Sequence, residues 1–305
     1  MSSRAWPSAC VALMVAVAWT VTDVISITQA HGAEIVRDGL VHYWSFDRVN
    51  GDIVPDLVGG NGVQLVRGET PKVLGGGPSD PQIVDGRFGR ALWFDGDGDY
   101  AHSIAPIEIT EDAPRTVAAW MKFDEFDDRK QVVVGWGFEG QKDQRCVGEL
   151  FSITAWGSAV SVWGICNDHI TPARFVADTW THVAATYDGE INLVVYVDGE
   201  VVYDNKAIQA FQTGAGSNGT RFTLGQRIGT DIAALADRRW THGAVDEVAI
   251  YDRALEQDEV LENMEVGGLS LSVDPAGRAA LAWGEIKSRL NGSHAVTDKP
   301  VIPTE

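Results

Sequence analysis

The segment from Trp180 to Asp204, WTHVAATYDGEINLVVYVDGEVVYD, constrains the fold more than any other part of the chain. Two Asp-Gly pairs, Asp188-Gly189 and Asp198-Gly199, divide it into three runs rich in β-branched and aromatic residues. A two-residue Asp-Gly connection suits a type I′ hairpin, because aspartate and glycine tolerate the positive φ that this turn needs at both central positions. The segment therefore reads as an antiparallel meander. Strands of this kind cannot bury an apolar face alone, so a second sheet must face them.

The same grammar recurs along the chain. From Leu40 to Phe46 the run LVHYWSF sets Leu40, His42, Trp44 and Phe46 on one side and Val41, Tyr43 and Ser45 on the other, as a strand does. Further short runs lie at Val63–Arg67, Ala91–Phe94, Thr116–Phe123, Gln131–Trp136, Glu149–Thr154, Ala159–Cys166, Arg221–Leu224 and Ala244–Tyr251. Turn clusters such as Gly59-Gly60-Asn61-Gly62 and Asp95-Gly96-Asp97-Gly98 separate them. A hydrophobic content of 45% suffices for one sizeable core, and no internal repeat or second core-sized segment is present. The predicted fold class is all-β: an antiparallel β-sandwich or jelly roll over residues 34–267. A short helix near Glu256–Met264 sets Val260, Leu261 and Met264 on one apolar stripe and closes one end. Residues 268–290 read as a C-terminal extension with a helical stretch at Ala279–Leu290, and 291–305 as a disordered tail.

At the start of the chain Arg4 precedes an apolar run, Ala9–Val21, of signal-peptide length and too short to span a bilayer comfortably. Small residues at Thr28-Gln29-Ala30 and His31-Gly32-Ala33 place cleavage at Ala30, Gly32 or Ala33. Residues 1–33 are thus excluded from the fold, and the mature protein is expected to be secreted, periplasmic or on the cell surface, with no stable membrane span. Export leaves Cys146 and Cys166, and an oxidising destination favours a disulfide between them. Such a bridge closes a loop of about 20 residues and contributes roughly 3 kcal/mol in the chain-entropy model.

With 43 acidic against 24 basic residues the formal charge is -19, which repels nucleic acid. Catalysis has no visible apparatus. A retaining glycosidase needs two carboxyl groups about 5–5.5 Å apart, which alternating carboxylates on one strand supply. The acidic cluster Asp124-Glu125-Phe126-Asp127-Asp128 instead follows a strand and reads as a solvated loop. No nucleophile elbow, phosphate loop or paired-cysteine zinc motif occurs. Binding would rest on exposed aromatic rings, because such a ring offers an apolar plane to the C–H face of a sugar. Trp136, Trp156, Trp163 and Trp240 are the candidates, with core packing the competing role for each.

Several motifs in fixed order resemble the laminin-G-like jelly rolls of the concanavalin A-like lectin/glucanase superfamily, common in secreted bacterial proteins. They are GLVHYWSFD (39–47), VPDLVGGNG (54–62), GRFGRALWFDGDGDY (86–100), TVAAWMKF (116–123), the 180–204 meander and GAVDEVAIYDRAL (243–255). The resemblance spans about residues 38–265. The polar turn Asp56–Gly62 is one residue longer than in the family and lacks its serine, and Glu256 stands where the closing helix usually has a serine cap. The resemblance implies a structural calcium whose ligands map to Asp47, Asp56, Asn61 and Asp246. Carboxylates, an asparagine amide and glycine-loop carbonyls are the hard oxygens that calcium takes. Asp56 and Asn61 equally suit a turn held by side-chain bonds to backbone. The FDGDGDY loop has Pro106 where an EF-hand needs its bidentate glutamate, and reads as a turn between strands.

Together these readings point to a secreted non-catalytic binding module, carbohydrate-binding, with calcium. An adhesion or surface-assembly module that binds an extracellular protein and a glycoside hydrolase are the alternatives.

Overall fold

The computed structural model describes residues 35–66, 81–128, 130–137, 150–164, 166–214, 221–226 and 240–267. Residues 1–33, read above as an export signal, Cys146, and residues 268–305, read above as extension and tail, lie outside the described residues. In chain order the strands are β1 (Leu40–Trp44), β2 (Ile53–Val54), β3 (Val63–Val66), β4 (Gln82–Asp85), β5 (Arg90–Asp95), β6 (Tyr100–Pro106), β7 (Arg115–Phe123) and β8 (Lys130–Gly137). They continue as β9 (Leu150–Trp156), β10 (Ala159–Trp163), β11 (His169–Arg174), β12 (Thr181–Tyr187), β13 (Asn192–Val197), β14 (Glu200–Lys206), β15 (Arg221–Leu224) and β16 (His242–Tyr251), followed by helix α1 (Gln257–Glu265).

These strands form two eight-stranded antiparallel sheets. The first runs β14-β13-β12-β7-β16-β5-β4, with β1 also on β16, and the second runs β11-β10-β9-β8-β15-β6-β3-β2. The all-β sandwich predicted from the sequence is therefore the fold. The 180–204 meander forms β12, β13 and β14 as expected. Asp198 and Gly199 take φ values of 49° and 79°, the type I′ geometry. The Asp198 carboxylate accepts the His182 N–H at 2.9 Å, which fixes the hairpin against β12.

The core lies between the sheets. Met121 and Phe123 of β7, Val183 and Ala185 of β12 and Val245 of β16 face Trp136 of β8, Phe151 and Ile153 of β9 and Phe222 of β15. Arg115 is enclosed among these rings, with its guanidinium 5.7 Å from the Trp136 centroid and 5.8 Å from those of Phe151 and Tyr187. It donates to the carbonyls of Ala113 at 2.8 Å and Glu111 at 2.6 Å, and to the Thr213 hydroxyl. Burial lowers its pKa to about 10, so it is still charged at neutral pH. One buried cation thus joins both sheets to the loops at 111–113 and 213.

A smaller apolar layer covers the outer side of the first sheet, where Tyr43, Ala118, Ala184, Tyr251, Leu255 and Val260 cluster. Helix α1 brings Val260 to it. The helix forms where the sequence predicts it, and its N-cap is Glu256, in the place of the family's serine. The Glu256 N–H donates to Glu259 at 2.9 Å, half of a capping box in which glutamate serves in place of serine. Asn263 donates to the Tyr251 hydroxyl at 2.8 Å and accepts the Val36 N–H at 2.8 Å, which joins helix, last strand and N-terminal segment.

The structure adds β2, β4, β6 and β11 to the strands read from sequence. β11 contains Pro172, which has no N–H to give a ladder and is tolerated because β11 is an edge strand.

His182 is enclosed on the outer side of the first sheet, edge-on to Trp120 with ring centroids 5.4 Å apart. Burial lowers its pKa to about 4, against an ordinary value near 6.5. Between these two values the unfolded chain holds a proton that the folded chain does not, so stability falls as pH drops through this window. From pH 7 to pH 4 the loss is about 3 kcal/mol. Urea unfolding at both pH values should show this component in the wild type and its absence in His182→Phe.

Candidate functional site

The four positions implied for calcium separate into two groups. Asp56, with its side chain fully buried, follows β2 and lies against β1. Its Oδ1 accepts the N–H of Tyr43 at 3.1 Å and of Val58 at 3.0 Å. Its Oδ2 accepts the N–H of Asn61 at 3.0 Å and lies 2.7 Å from His42 Nδ1. The carboxylate is thus saturated by protein donors. Asn61 is engaged in the same way, its Oδ1 accepting the Ala105 N–H at 2.8 Å and its amide donating to the Ala105 carbonyl at 3.0 Å. A Cβ on Gly59 would stand 2.5 Å from the Val41 carbonyl oxygen and 2.6 Å from His42 Nδ1, so glycine lets the turn close on β1. A cavity of about 370 Å³ opens beside it, lined by His42, Gly59, Gly60, Asn61 and Ile104 among others.

Asp47 and Asp246 meet elsewhere, around the turn 86–89. Asp246 is fully buried; its Oδ2 accepts the Phe88 N–H at 3.0 Å and its Oδ1 the Glu247 N–H at 2.9 Å. Asp47 accepts the Arg90 N–H at 2.9 Å. Burial, with a further contribution from Asp47, pushes the Asp246 carboxyl up to about 7. The resemblance implies one shell for all four residues; in the structure the side-chain oxygens of Asp56 and Asn61 accept protein N–H groups, while Asp47 and Asp246 border the turn 86–89. Among the described residues no group of three or more His, Cys, Asp or Glu side chains converges as a metal site.

The loop between β5 and β6 concentrates acid differently. Asp99 has no exposed surface and accepts the Asp95 N–H at 3.2 and 3.3 Å, while Asp95 accepts the Asp97 N–H at 2.8 Å. Burial first, then the neighbouring Asp95, pushes the Asp99 carboxyl up to about 8. In the cluster at 124–128, Asp124 accepts the Trp93 indole N–H at 2.8 Å, and Asp124 and Glu125 lie 3.4 and 3.2 Å from the His242 ring nitrogens. Two of its members therefore organise the end of β16.

The tryptophan candidates divide clearly. Trp136 is core, 1% exposed, and Trp163 is 4% exposed, whereas Trp156 at the end of β9 is 39% exposed. Because Phe151, Ile153 and Ala155 face the core, alternation along β9 turns Ser152, Thr154 and Trp156 outward. Cross-strand register puts Lys130 and Ala159 beside Trp156, and Ile170 beside Ser161. The Lys130 ammonium sits 3.9 Å from the Trp156 ring centroid and 4.5 Å from that of Trp163, and 2.8 Å from Asp168. Deeper in this face the hydroxyls are already used: Thr154 and Ser161 bond each other at 2.6 Å, and Ser152 donates to the Trp163 carbonyl at 3.3 Å. What the face offers outward is Trp156 and Ile170, 39% and 49% exposed, bordered by a paired cation and carboxylate. Sequence alone named Trp156 but not its partner, because Lys130 and Trp156 meet only through register.

Asp56→Ala removes four contacts at one buried carboxylate, and should lower stability by about 3 kcal/mol. Because those contacts are to protein groups, urea unfolding should give the same loss in excess chelator as in calcium.

Comparison with known proteins matches residues 95–261 to the family described as the concanavalin A-like lectin/glucanases superfamily. Among solved structures, domain 4 of AbnA, a GH43 extracellular arabinanase from Geobacillus stearothermophilus solved with arabinotriose, has a TM-score of 0.54 at 21% identity, covering 74% of this chain and 98% of that one. Trypanosoma rangeli sialidase gives 0.51 at 17% identity, covering 74% of this chain but 32% of that one. The binding domain of Paraclostridial Mosquitocidal Protein 1 gives 0.50 at 16%, covering 74% and 52%. At these identities the likeness is one of fold. A search of curated proteins found no match. No helix among the described residues is long and apolar enough to cross a membrane. With its two-sheet sandwich and a family match over more than half its length, the chain belongs to the concanavalin A-like lectin/glucanase superfamily.

Proposed function

We propose that this protein is an exported, non-catalytic carbohydrate-binding module whose ligand packs against Trp156. The observation that carries the reading is the exposed Trp156 ring, with Lys130 over it and Asp168 paired with Lys130 at its border. An aromatic plane accepts the C–H face of a sugar, and flanking charged groups bond its hydroxyls. The arabinanase domain solved with arabinotriose supports the ligand class. The non-catalytic part of the proposal rests on the sequence, in which no strand carries the alternating carboxylates of a retaining glycosidase.

Export through residues 1–33 and a Cys146–Cys166 bridge belong to the same proposal. Cys166 takes part in a disulfide, which supports the bridge, while Cys146 lies outside the described residues. A structural calcium is kept at Asp47 and Asp246, the two implied ligands that border one turn, 86–89; Asp56 and Asn61 hold their own turn.

Arabinotriose titration, extended to a glycan array, tests the reading. Trp156→Ala should weaken binding at least about tenfold, the loss expected for one buried aromatic contact, while Tm falls by only a few degrees through loss of the Lys130 contact. Equal binding by the variant would move the site away from Trp156. No glycan bound by the wild type would favour an extracellular protein as partner. Adding calcium to the chelator-treated protein should raise Tm by several degrees, as for any ligand bound by the native state alone. An Asp47→Asn variant should show a smaller rise.

A further inference from the structure

We infer that the outer side of the first sheet carries a second ligand site, at Arg87, Lys122 and Trp180, for a sugar chain that bears carboxylates. The choice of a sugar rests on the carbohydrate-binding reading. The site itself shares no residue with the Trp156 surface, which belongs to the other sheet.

Alternation and register assemble it. Met121 and Phe123 face the core, so Trp120 and Lys122 project outward from β7, about 7 Å apart along the strand. On β12 His182 stands opposite Trp120 and Thr181 opposite Met121, which brings Trp180 beside Lys122. The turn 86–89 supplies the other wall. The Arg87 guanidinium lies 4.6 Å from the Trp120 ring centroid and 5.1 Å from that of Phe88, and Lys122 Nζ lies 5.4 Å from the Trp180 centroid. Arg87 is exposed and Lys122 and Trp180 are half-buried, whereas Trp120 is covered.

Neither cation has a carboxylate partner among the described residues. In a chain with 43 acidic against 24 basic residues, two unpaired cations on one face call for an anion from outside. The carboxylates that neighbour them are committed to protein groups. Asp246, opposite Trp120 on β16, accepts the N–H groups of Phe88 and Glu247, and Asp124, the next outward position on β7, accepts the Trp93 indole N–H. The Trp120 indole N–H, under Arg87, has no acceptor either. The groups left over here are therefore donors. A guanidinium takes a carboxylate in a two-pronged contact, an ammonium takes one as a point charge, and the Trp180 ring offers a plane to the C–H face of a sugar. Two cations on neighbouring rows suit successive acidic sugars better than one isolated anion.

The test is calorimetric titration of oligomers of galacturonate, mannuronate and guluronate, each beside its uncharged methyl ester, into the full chain. Wild type and Trp156→Ala are expected to bind at least one acidic oligomer alike, more weakly as salt is raised. Arg87→Gln and Lys122→Gln, both substitutions of side chains that reach solvent, should each bind it at least tenfold more weakly. Unchanged affinity in either glutamine variant, equal affinity for the methyl ester, or no binding of any acidic oligomer by the wild type would overturn the assignment. Loss of the acidic oligomer in Trp156→Ala would overturn it too, by placing that ligand on the second sheet. Arabinotriose binding is read separately through Trp156, so failure of either proposal is distinguishable from failure of the other.

Discussion

The sandwich depends on how one strand, β16, is shared. Along one edge it pairs with β7 for its whole length; along the other it pairs first with β5, through His242–Val245, and then with β1, through Val248–Tyr251. The change of partner coincides with a register shift between Asp246 and Ala249 and a positive φ of 52° at Glu247. A bulge of this kind bends a strand and re-aims its side chains. Here it puts two acidic residues, Asp246 and Glu247, inside the protein at the junction of three strands. Glu247 accepts the Tyr43 hydroxyl of β1, and Asp246 caps the turn before β5 through Phe88. The bulge therefore binds both partners of β16 to each other, and the cost of that closure appears as the raised pKa of Asp246.

Buried polar groups elsewhere follow the same logic, with most of them spent on holding loops. Asp56 saturates its two oxygens on a single turn, Asp188 gathers the N–H groups of Glu190, Ile191 and Asn192 at 2.8–3.0 Å, and Arg115 collects loop carbonyls inside an aromatic cage. Such carboxylate-held turns do part of the work a metal clip would do. The unsatisfied atoms are the informative exceptions. Among the described residues, Trp120 Nε1 and His182 Nδ1, on rings in contact, His42 Nε2 and Gln226 Oε1 are buried without partners. Trp120 and His182 form a packed ring pair, His42 lines the cavity beside Gly59, and Gln226 follows the end of β15.

The meander, the hairpin turn at Asp198-Gly199 and the final helix were legible in the sequence because each is specified by neighbours in the chain: turn residues, alternation and a helical stripe. β6 and β11 were not, since YAHSIAP alternates small and polar residues and HITPAR contains a proline, and both become strands by pairing with β15 or β3 and with β10. The site was legible only in its parts. Asp56 and Asp246 each occupy a position with a purpose, but a one-dimensional pattern does not say which oxygens will be taken by backbone donors before a cation arrives. Likewise Trp136, Trp156 and Trp163 look alike as residue types, and their exposure is decided by strand position.

That position also explains where recognition can occur. On the outward side of the second sheet the central rows are filled by Ser152, Thr154, Ser161 and Gly135, small groups packed so closely that a Cβ on Gly135 would stand 2.2 Å from that of Ser152. Their hydroxyls bond within the sheet, so the centre has little to give a ligand. At the β9–β10 hairpin the rows end, the residues become large, and Trp156 extends past the last neighbour that could cover it. Lys130 holds one side of the ring through a cation–π contact, worth about 0.5–2 kcal/mol, and is itself held by Asp168. The ring is thereby fixed before any ligand arrives, and a fixed aromatic plane at an edge binds without the entropy loss that ordering a mobile one would impose.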